Sequence, residues 1–391
     1  VRIVVVGVPA DGWAGLAEPA RAEIAAADVL FGGRRQLDLV PLDVPKVTWP
    51  SPLLPALDGL LAEYAGRRIC VLASGDPLLS GIGTTLVRRL GAENVRIVPA
   101  VSSVALARAR MGWSAEETEV VSVVGRSVHR VSRALAPGAR LLVLSSDGGT
   151  PAELASVLVA RGFGESKLTV LEQLGAPTER RVDGVARGWS HPAGDPLNVV
   201  AVECAGPPLP LLPGLPDDAF EHDGQITKRD LRASALARLA PAAGELLWDV
   251  GAGAGSVGIE WSRAHPANRA IAIERNPERV ARIQRNADRL GVPELRVVTG
   301  TAPDDLPDLP VPDAVFLGGG LAALGACLDA LRPGGRLVAH AVTLESEQAL
   351  VAAYQRYGGE LVRVAVEHAA PLGGFTGWTP ARTVTQWSFL K

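Results

Sequence analysis

The run Ala205-Gly-Pro-Pro-Leu-Pro-Leu-Leu-Pro-Gly-Leu-Pro216 splits the chain in two. Its prolines remove backbone donors and fix φ, which denies the segment both helix and sheet ladders and favours a stiff, extended linker. A cut at 205–216 leaves residues 1–204 and 217–391, each the size of one domain, as expected for a chain of 391 residues. Apolar residues make up 47% and charged residues 21%, enough for two folded cores. Gly and Pro fall between periodic apolar segments, which is the punctuation of many short connections in an α/β fold.

In the first part, Ile3–Val8, Arg68–Ala73, Val95–Val98 and Val120–Val124 read as buried strands separated by helical stretches rich in Ala, Leu and Arg. A shift follows near Gly125, after which Arg140–Leu144, Leu168–Gln173 and Val199–Glu203 suggest a second sheet and hence two lobes. In the second part, strands are expected at Leu246–Val250, Ala270–Ile273, Leu295–Val298, Ala314–Leu317 and Arg336–Ala339, alternating with helices as in a doubly wound sheet. No fixed-period repeat relates the two parts, so they are different folds.

Leu246-Leu-Trp-Asp-Val-Gly-Ala-Gly-Ala-Gly-Ser256 is an apolar strand entering a glycine turn, with a helix starting near Ser256. Gly251, Gly253 and Gly255 permit positive φ and a close approach of main-chain N–H groups to a ligand. Ser256 stands where a dinucleotide fingerprint needs its third glycine, so a nicotinamide-dependent oxidoreductase is the weaker alternative. Glu274, closing the next strand, is placed to accept hydrogen bonds from both hydroxyls of a ribose. A glycine turn or a strand-end carboxylate taken alone is most often structural; their order along one chain is the informative feature.

The G-x-G-x-G spacing resembles the first motif of Rossmann-like methyltransferases, and Leu331-Arg-Pro-Gly-Gly-Arg-Leu-Val338 resembles a late turn and strand of that superfamily. Leu317-Gly-Gly-Gly320 lacks the Asn- or Asp-Pro-Pro-aromatic sequence of many amino-group methyltransferases, which disfavours N-methylation. Gly224-Gln-Ile-Thr-Lys-Arg-Asp-Leu-Arg232 and Ala341-Val-Thr-Leu-Glu345 resemble the decarboxylating methyltransferase of corrin synthesis. The resemblance implies S-adenosyl-L-methionine held by Thr227, Gly251, Ala252, Gly253, Ala254, Gly255, Glu274 and Ala302, with Ala302 beside the adenine.

Val4-Val-Val-Gly-Val-Pro-Ala-Asp-Gly-Trp-Ala-Gly-Leu16, Gly32-Gly-Arg-Arg-Gln-Leu37, Leu72-Ala-Ser-Gly-Asp-Pro-Leu-Leu-Ser-Gly-Ile-Gly83 and Val98-Pro-Ala-Val-Ser-Ser-Val-Ala105 resemble, in order, the tetrapyrrole methylase family over roughly the first two hundred residues. That family binds S-adenosylmethionine between two α/β lobes, and the match points to Gly75, Asp76 and Ser103. As ordinary turn and cap residues, Asp76 and Ser103 have a bland reading too. Pro9 stands where family members usually carry a second glycine, which alters the donors and φ of that loop.

A tetrapyrrole methylase followed by a Rossmann-like methyltransferase resembles the decarboxylating precorrin-6Y methyltransferase family across nearly the whole chain. The resemblance implies methylation of two meso carbons, C5 and C15, one per half, with an acetate lost as carbon dioxide in the C-terminal half, taking precorrin-6B to precorrin-8X in cobalamin biosynthesis. A two-domain methyltransferase acting on another small molecule or RNA is the nearer alternative. The net charge of −3 weighs against nucleic acid and anionic membrane, while the predominance of Arg over Lys suits an acidic tetrapyrrole. Arg34 and Arg35, or Arg126 and Arg130, are candidates to pair with its carboxylates, although a solvated Arg is the default.

Cys70, Cys204 and Cys327 are far apart in sequence and the six histidines are dispersed, so neither a disulfide framework nor a metal site is expected. His340 and Glu345, near late strand ends, are conceivable in proton transfer, with structural roles the better expectation; the catalytic acid is left unassigned. The opening strand lacks the order of a signal peptide and no apolar run reaches the roughly 18 residues of a membrane span, so a cytoplasmic protein is expected, and a homo-oligomer is the prior for such folds.

Overall fold

A computed structural model describes residues 3–208, 210–306 and 308–391. The chain forms two units, one of residues 1–128 and 136–207, the other of 129–135 and 208–391.

The first unit holds two sheets. β1 (Ile3–Val8), β2 (Val29–Gly32), β3 (Lys46–Thr48), β4 (Ile69–Ser74) and β5 (Val95–Val98) form a parallel sheet in the order β3-β2-β4-β1-β5. Alternation along the central strands feeds two cores: Ile3, Val5, Ile69, Val71 and Ala73 pack on one face, and Val6, Val8, Cys70 and Leu72 on the other. Helices cover both faces, which is why these strands read as nearly unbroken apolar runs. β6 (Thr118–Ser122), β7 (Arg140–Leu144), β8 (Lys167–Glu172), β9 (Arg180–Val185) and β10 (Asn198–Glu203) form the second sheet, order β6-β7-β10-β8-β9, parallel only between β6 and β7.

The break between the two sheets falls before β6, not near Gly125. Val121 of β6 pairs with Val143 of β7, so the Val120–Val124 run opens the second sheet. It is an edge strand with Val120 exposed, rather than the buried strand its composition suggests. Two valine-rich strands can be told apart as edge or centre only once their neighbours are known.

The second unit builds β11 (Leu246–Val250), β12 (Arg269–Glu274), β13 (Arg296–Thr299), β14 (Ala314–Leu317), β15 (Arg336–Ala341), β16 (Glu360–Val364), a hairpin β17 (Glu367–Leu372) and β18 (Phe375–Pro380), and β19 (Val384–Leu390). The sheet order is β13-β12-β11-β14-β15-β19-β16, with β19 antiparallel to both neighbours. Leu247 and Trp248 enter opposite cores, joined respectively by Trp261 and Phe316, and by Ile271, Ile273 and Trp387.

The proline run ends inside this unit rather than as free linker. Gly214 N and Leu215 N donate to the Glu260 carboxylate at 2.7 and 2.9 Å, and Leu215 is buried in the core with Phe220. Arg232, fully buried, donates to Glu260 Oε1 at 2.7 Å and to the carbonyls of Leu215 and Thr227. A buried charge in the helix Arg229–Leu239 thus ties the incoming chain to the segment ahead of the glycine loop.

Candidate active sites

In the second unit, β11 is the central strand where the order turns from β12 to β14, and ligands of such sheets bind beyond the carboxyl ends of the strands at that point. Gly251, Gly253 and Gly255 follow it with φ of 73°, 59° and 74°. A Cβ on Gly253 would lie 2.8 Å from Gln225 O, and one on Gly251 3.2 Å from the Gly319 backbone. The loop is therefore pressed between two other backbone segments, and only glycine fits. Gly251, Ala252 and Gly253 line a cavity of about 1180 Å³ with Gln225, Thr227, Glu274 and Ala302. Ala254 and Gly255 sit behind it: Ala254 is buried with its carbonyl accepting from Asn286 Nδ2 at 3.0 Å, and a Cβ on Gly255 would lie 2.8 Å from Ile283. These two residues shape the turn, and the adjacent helix packing, without facing the cavity.

Glu274 is buried, its Oε2 accepting from Gly253 N at 2.9 Å and its Oε1 from Asn276 N at 3.0 Å. Two carboxylate oxygens offer about four acceptor positions, so capacity remains for a diol. Beneath the loop, Asp249 accepts from Gly258 N at 2.9 Å while its Oδ1 has no hydrogen-bond partner. Burial pushes its carboxyl up to about 7, with the Gly258 N–H opposing and the Glu274 charge reinforcing the rise. This residue, unremarked in the sequence beyond its place in the strand, anchors the helix that follows the glycine turn.

His340 also lines the cavity, buried edge-on against Phe316 and hydrogen-bonded through Nε2 to Gln386 at 2.9 Å. Burial pushes its ring down to about 4, with Gln386 opposing, so it is neutral near pH 7. Glu345 is exposed at the start of the helix Leu344–Tyr357, off the cavity wall, its carboxyl held below the usual range by its own backbone N–H and by Thr343. The two late-strand candidates are thus separated, one facing the cavity and one facing solvent. Sequence reasoning missed Arg229, His368 and Arg382 on the cavity wall. His368 lies on β17 and Arg382 between β18 and β19, where the mixed sequences of the two hairpin strands give no strong alternation.

In the first unit, the carboxyl ends of β4, β1 and β5 converge. Gly75 has φ 55°, its N–H donates to Val8 O and its carbonyl accepts from Ala100 N, both at 3.1 Å. A Cβ on Gly7 would come within 1.8 Å of Gly75 O, so glycine is required there as well. Asp76 Oδ1 accepts from Leu78 N at 2.9 Å, a turn-forming role. The helix Ser103–Met111 is capped by Ser102, whose hydroxyl accepts from Ala105 N at 3.1 Å, so Ser103 is not needed as the cap. Pro9 accepts from Gly12 N at 3.0 Å in the turn after β1.

Arg35 is half-buried, 3.5 Å from Ser74 Oγ just ahead of Gly75, and burial pulls its guanidinium below the ordinary value against the pull of Asp195. Arg34 and Arg126 are exposed. Arg130 is paired with Glu294 within the second unit, which removes it from the candidates for a ligand carboxylate. Among the described residues, no cluster of three or more His, Cys, Asp or Glu could hold a metal ion, and no helix is long and apolar enough to cross a membrane.

Residues 218–391 match the family described as a precorrin methyltransferase domain, and residues 2–188 match the tetrapyrrole (corrin/porphyrin) methylases. The chain is 48% identical over 398 residues to a precorrin-6Y C(5,15)-methyltransferase [decarboxylating] of a Sinorhizobium species, spanning 100% of this chain and 96% of that one. It is 48% identical over 397 residues to a Mycobacterium tuberculosis protein of the same description, spanning 100% of both. The crystal structure of the C-terminal domain of precorrin-6Y C5,15-methyltransferase from Rhodobacter capsulatus is 49% identical and covers 47% of this chain and 100% of that one, with a TM-score of 0.45.

Proposed function

The chain belongs to the decarboxylating precorrin-6Y C(5,15)-methyltransferase family, and on that premise we propose that each half uses S-adenosyl-L-methionine to methylate one meso carbon, with an acetate carboxyl leaving in the C-terminal half. It is a methyltransferase of cobalamin biosynthesis acting on a precorrin. We assign residues 1–204 to the tetrapyrrole methylase, 205–216 to the connection and 217–391 to the decarboxylating half.

The observation that carries the reading is the glycine loop with Glu274 on one wall of the large cavity. The residues fit the cofactor: Gly251, Ala252 and Gly253 line the cavity, and Glu274 beside them retains acceptor capacity for a ribose diol. Gly251, Ala252, Gly253, Thr227, Glu274 and Ala302 would hold it in this half, and Gly75, Asp76 and Ser103 in the other. When bound, its sulfonium supplies an electrophilic methyl group and a ready leaving group.

The chain's own task is alignment, because the macrocycle provides electron-rich enamine carbons. Holding two reactants at near-attack distance can supply about 7 to 11 kcal/mol of a barrier. Loss of carbon dioxide from an acetate sends the broken C–C electron pair into a conjugated imine, and the resulting enamine takes up a proton at the exocyclic carbon. A wall that strips water from the carboxylate favours this step, and Val364, Val366 and Val384 line the cavity as such a wall. Neutral His340, held by Gln386, lines the cavity without adding a charge.

Mass spectrometry of products from the precorrin substrate and S-adenosylmethionine tests the whole reading. Two methyl groups gained and one carbon dioxide lost is the expected result; no mass change despite cofactor binding would overturn the substrate assignment.

A further inference from the structure

One wall of the cavity is unused by the cofactor reading. β16 and β19 pair Val364 with Val384, and the ribbon continues through Ala381 N donating to Val366 O at 2.8 Å into β17 and β18, where Glu367 pairs with Pro380. The two registers differ by one residue, a bulge that turns both Ala381 and Arg382 to the cavity. Alternation carries Val364, Val366 and His368 to the same side, and Glu367 to the opposite one.

Arg382 is the guanidinium of this ribbon wall, and among the described residues no acid shares the wall with it: the carboxylates lining the cavity are Asp217, Asp218, Asp230 and Glu274, all from other segments. Of the other cations lining the cavity, Lys228 and Arg279 are paired with Asp217 and Asp223 at 3.5 and 2.9 Å, while Arg229 and Arg275 make no ion pair among the described residues but come from segments outside the ribbon. Arg382 makes no ion pair or side-chain hydrogen bond among the described residues. A guanidinium that shares its wall with Val364, Val366 and Val384, and with no carboxylate on that wall among the described residues, presents a planar fork matched to a ligand carboxylate.

We propose that Arg382 is a specificity-determining residue that binds a peripheral carboxylate of the macrocycle, an inference that rests on the assignment of an acidic tetrapyrrole to this half. Chemistry selects which carboxylate. An ion pair stabilises the carboxylate before reaction and so opposes loss of carbon dioxide; Arg382 therefore takes a side chain that is retained and leaves the departing acetate to the valines.

The test uses the full-length chain and the variants Arg382→Ala and Arg382→Lys, with cofactor affinity read by calorimetry and carbon dioxide release by steady-state kinetics on the precorrin. In Arg382→Ala the KM for the macrocycle rises about 10- to 100-fold with kcat and S-adenosylmethionine affinity unchanged, as expected for loss of a charge-assisted pair, and lysine recovers part of it. Weaker cofactor binding with an unchanged macrocycle KM would assign Arg382 to the methionine carboxylate and overturn the proposal. So would an unchanged KM, or a fall in kcat alone. A parent chain that binds S-adenosylmethionine but releases no carbon dioxide overturns the functional reading itself, whatever the variants do.

Discussion

Arg232→Ala removes the cation at the centre of the buried cluster in the second unit. The guanidinium is fully buried, donates to Glu260 at 2.7 Å, to Asp217 at 3.3 Å and to the carbonyls of Leu215 and Thr227, and lies 4.8 Å from the Phe220 ring centroid. Breaking a buried pair by removing one partner costs about 3 to 5 kcal/mol, chiefly because the other charge is left without compensation. Glu260 keeps the N–H groups of Gly214 and Leu215, which places the expected loss at the lower end, about 3 kcal/mol. For a unit of this size that is a fall in Tm of about 6 to 12 °C. Scanning calorimetry of the full chain should show the transition of the second unit moving by that amount while the transition of the first stays in place. Arg232→Met with Glu260→Gln removes both charges and should recover part of the loss, leaving a deficit of about 1 to 2 kcal/mol for an orphaned backbone N–H. A single variant within about 2 °C of the parent, where the scale above requires three times that, would refute the reasoning. A double variant no more stable than the single would refute it as well.

Glu274→Gln keeps the shape of the carboxylate but loses its charge and acceptor capacity, and calorimetric titration should show S-adenosylmethionine binding weakened about 10- to 100-fold, with the fold unchanged by circular dichroism. Gly7→Ala places a methyl group 1.8 Å from Gly75 O, so the first unit should lose its methyl transfer in a product assay while carbon dioxide release by the second unit persists. His340 has a folded-state pKa of about 4, below the ordinary value of 6.5, so protonation favours the unfolded chain. Its contribution to stability is intact above about pH 6.5 and is lost as the pH falls toward 4, about 3 kcal/mol in all. Denaturant titrations of His340→Gln against the parent should show the variant with the shallower loss over that range, and parallel slopes would refute the burial argument.

Much of this molecule is local. β1, β5, β7, β11 and β14 have the ends their apolar runs announce, because each is a short run of β-branched and other apolar residues closed off by glycine, proline or polar residues. The glycine loop is legible for the same reason: a strand, three glycines at two-residue spacing and a strand-end Glu274 are fixed by neighbours in sequence, and the fold brings Gly251, Gly253 and Glu274 to one cavity. What the sequence could not reveal depends on partners distant along the chain. Ala254 and Gly255 read as equals of the other loop residues until Asn286 and Ile283 cover them from the helix Pro277–Arg289. Val120–Val124 becomes an edge strand only through its pairing with β7, and Arg130 is engaged only because Glu294 lies beside it. The ribbon carrying His368 and Arg382 has too little alternation to predict, and its place on the cavity wall follows from β19 running back beside β15. Sequence determined the elements and the chemistry that a backbone turn imposes on its own residues; tertiary structure decided which side chains share a surface, because burial and pairing are set by segments that meet only after the chain has folded.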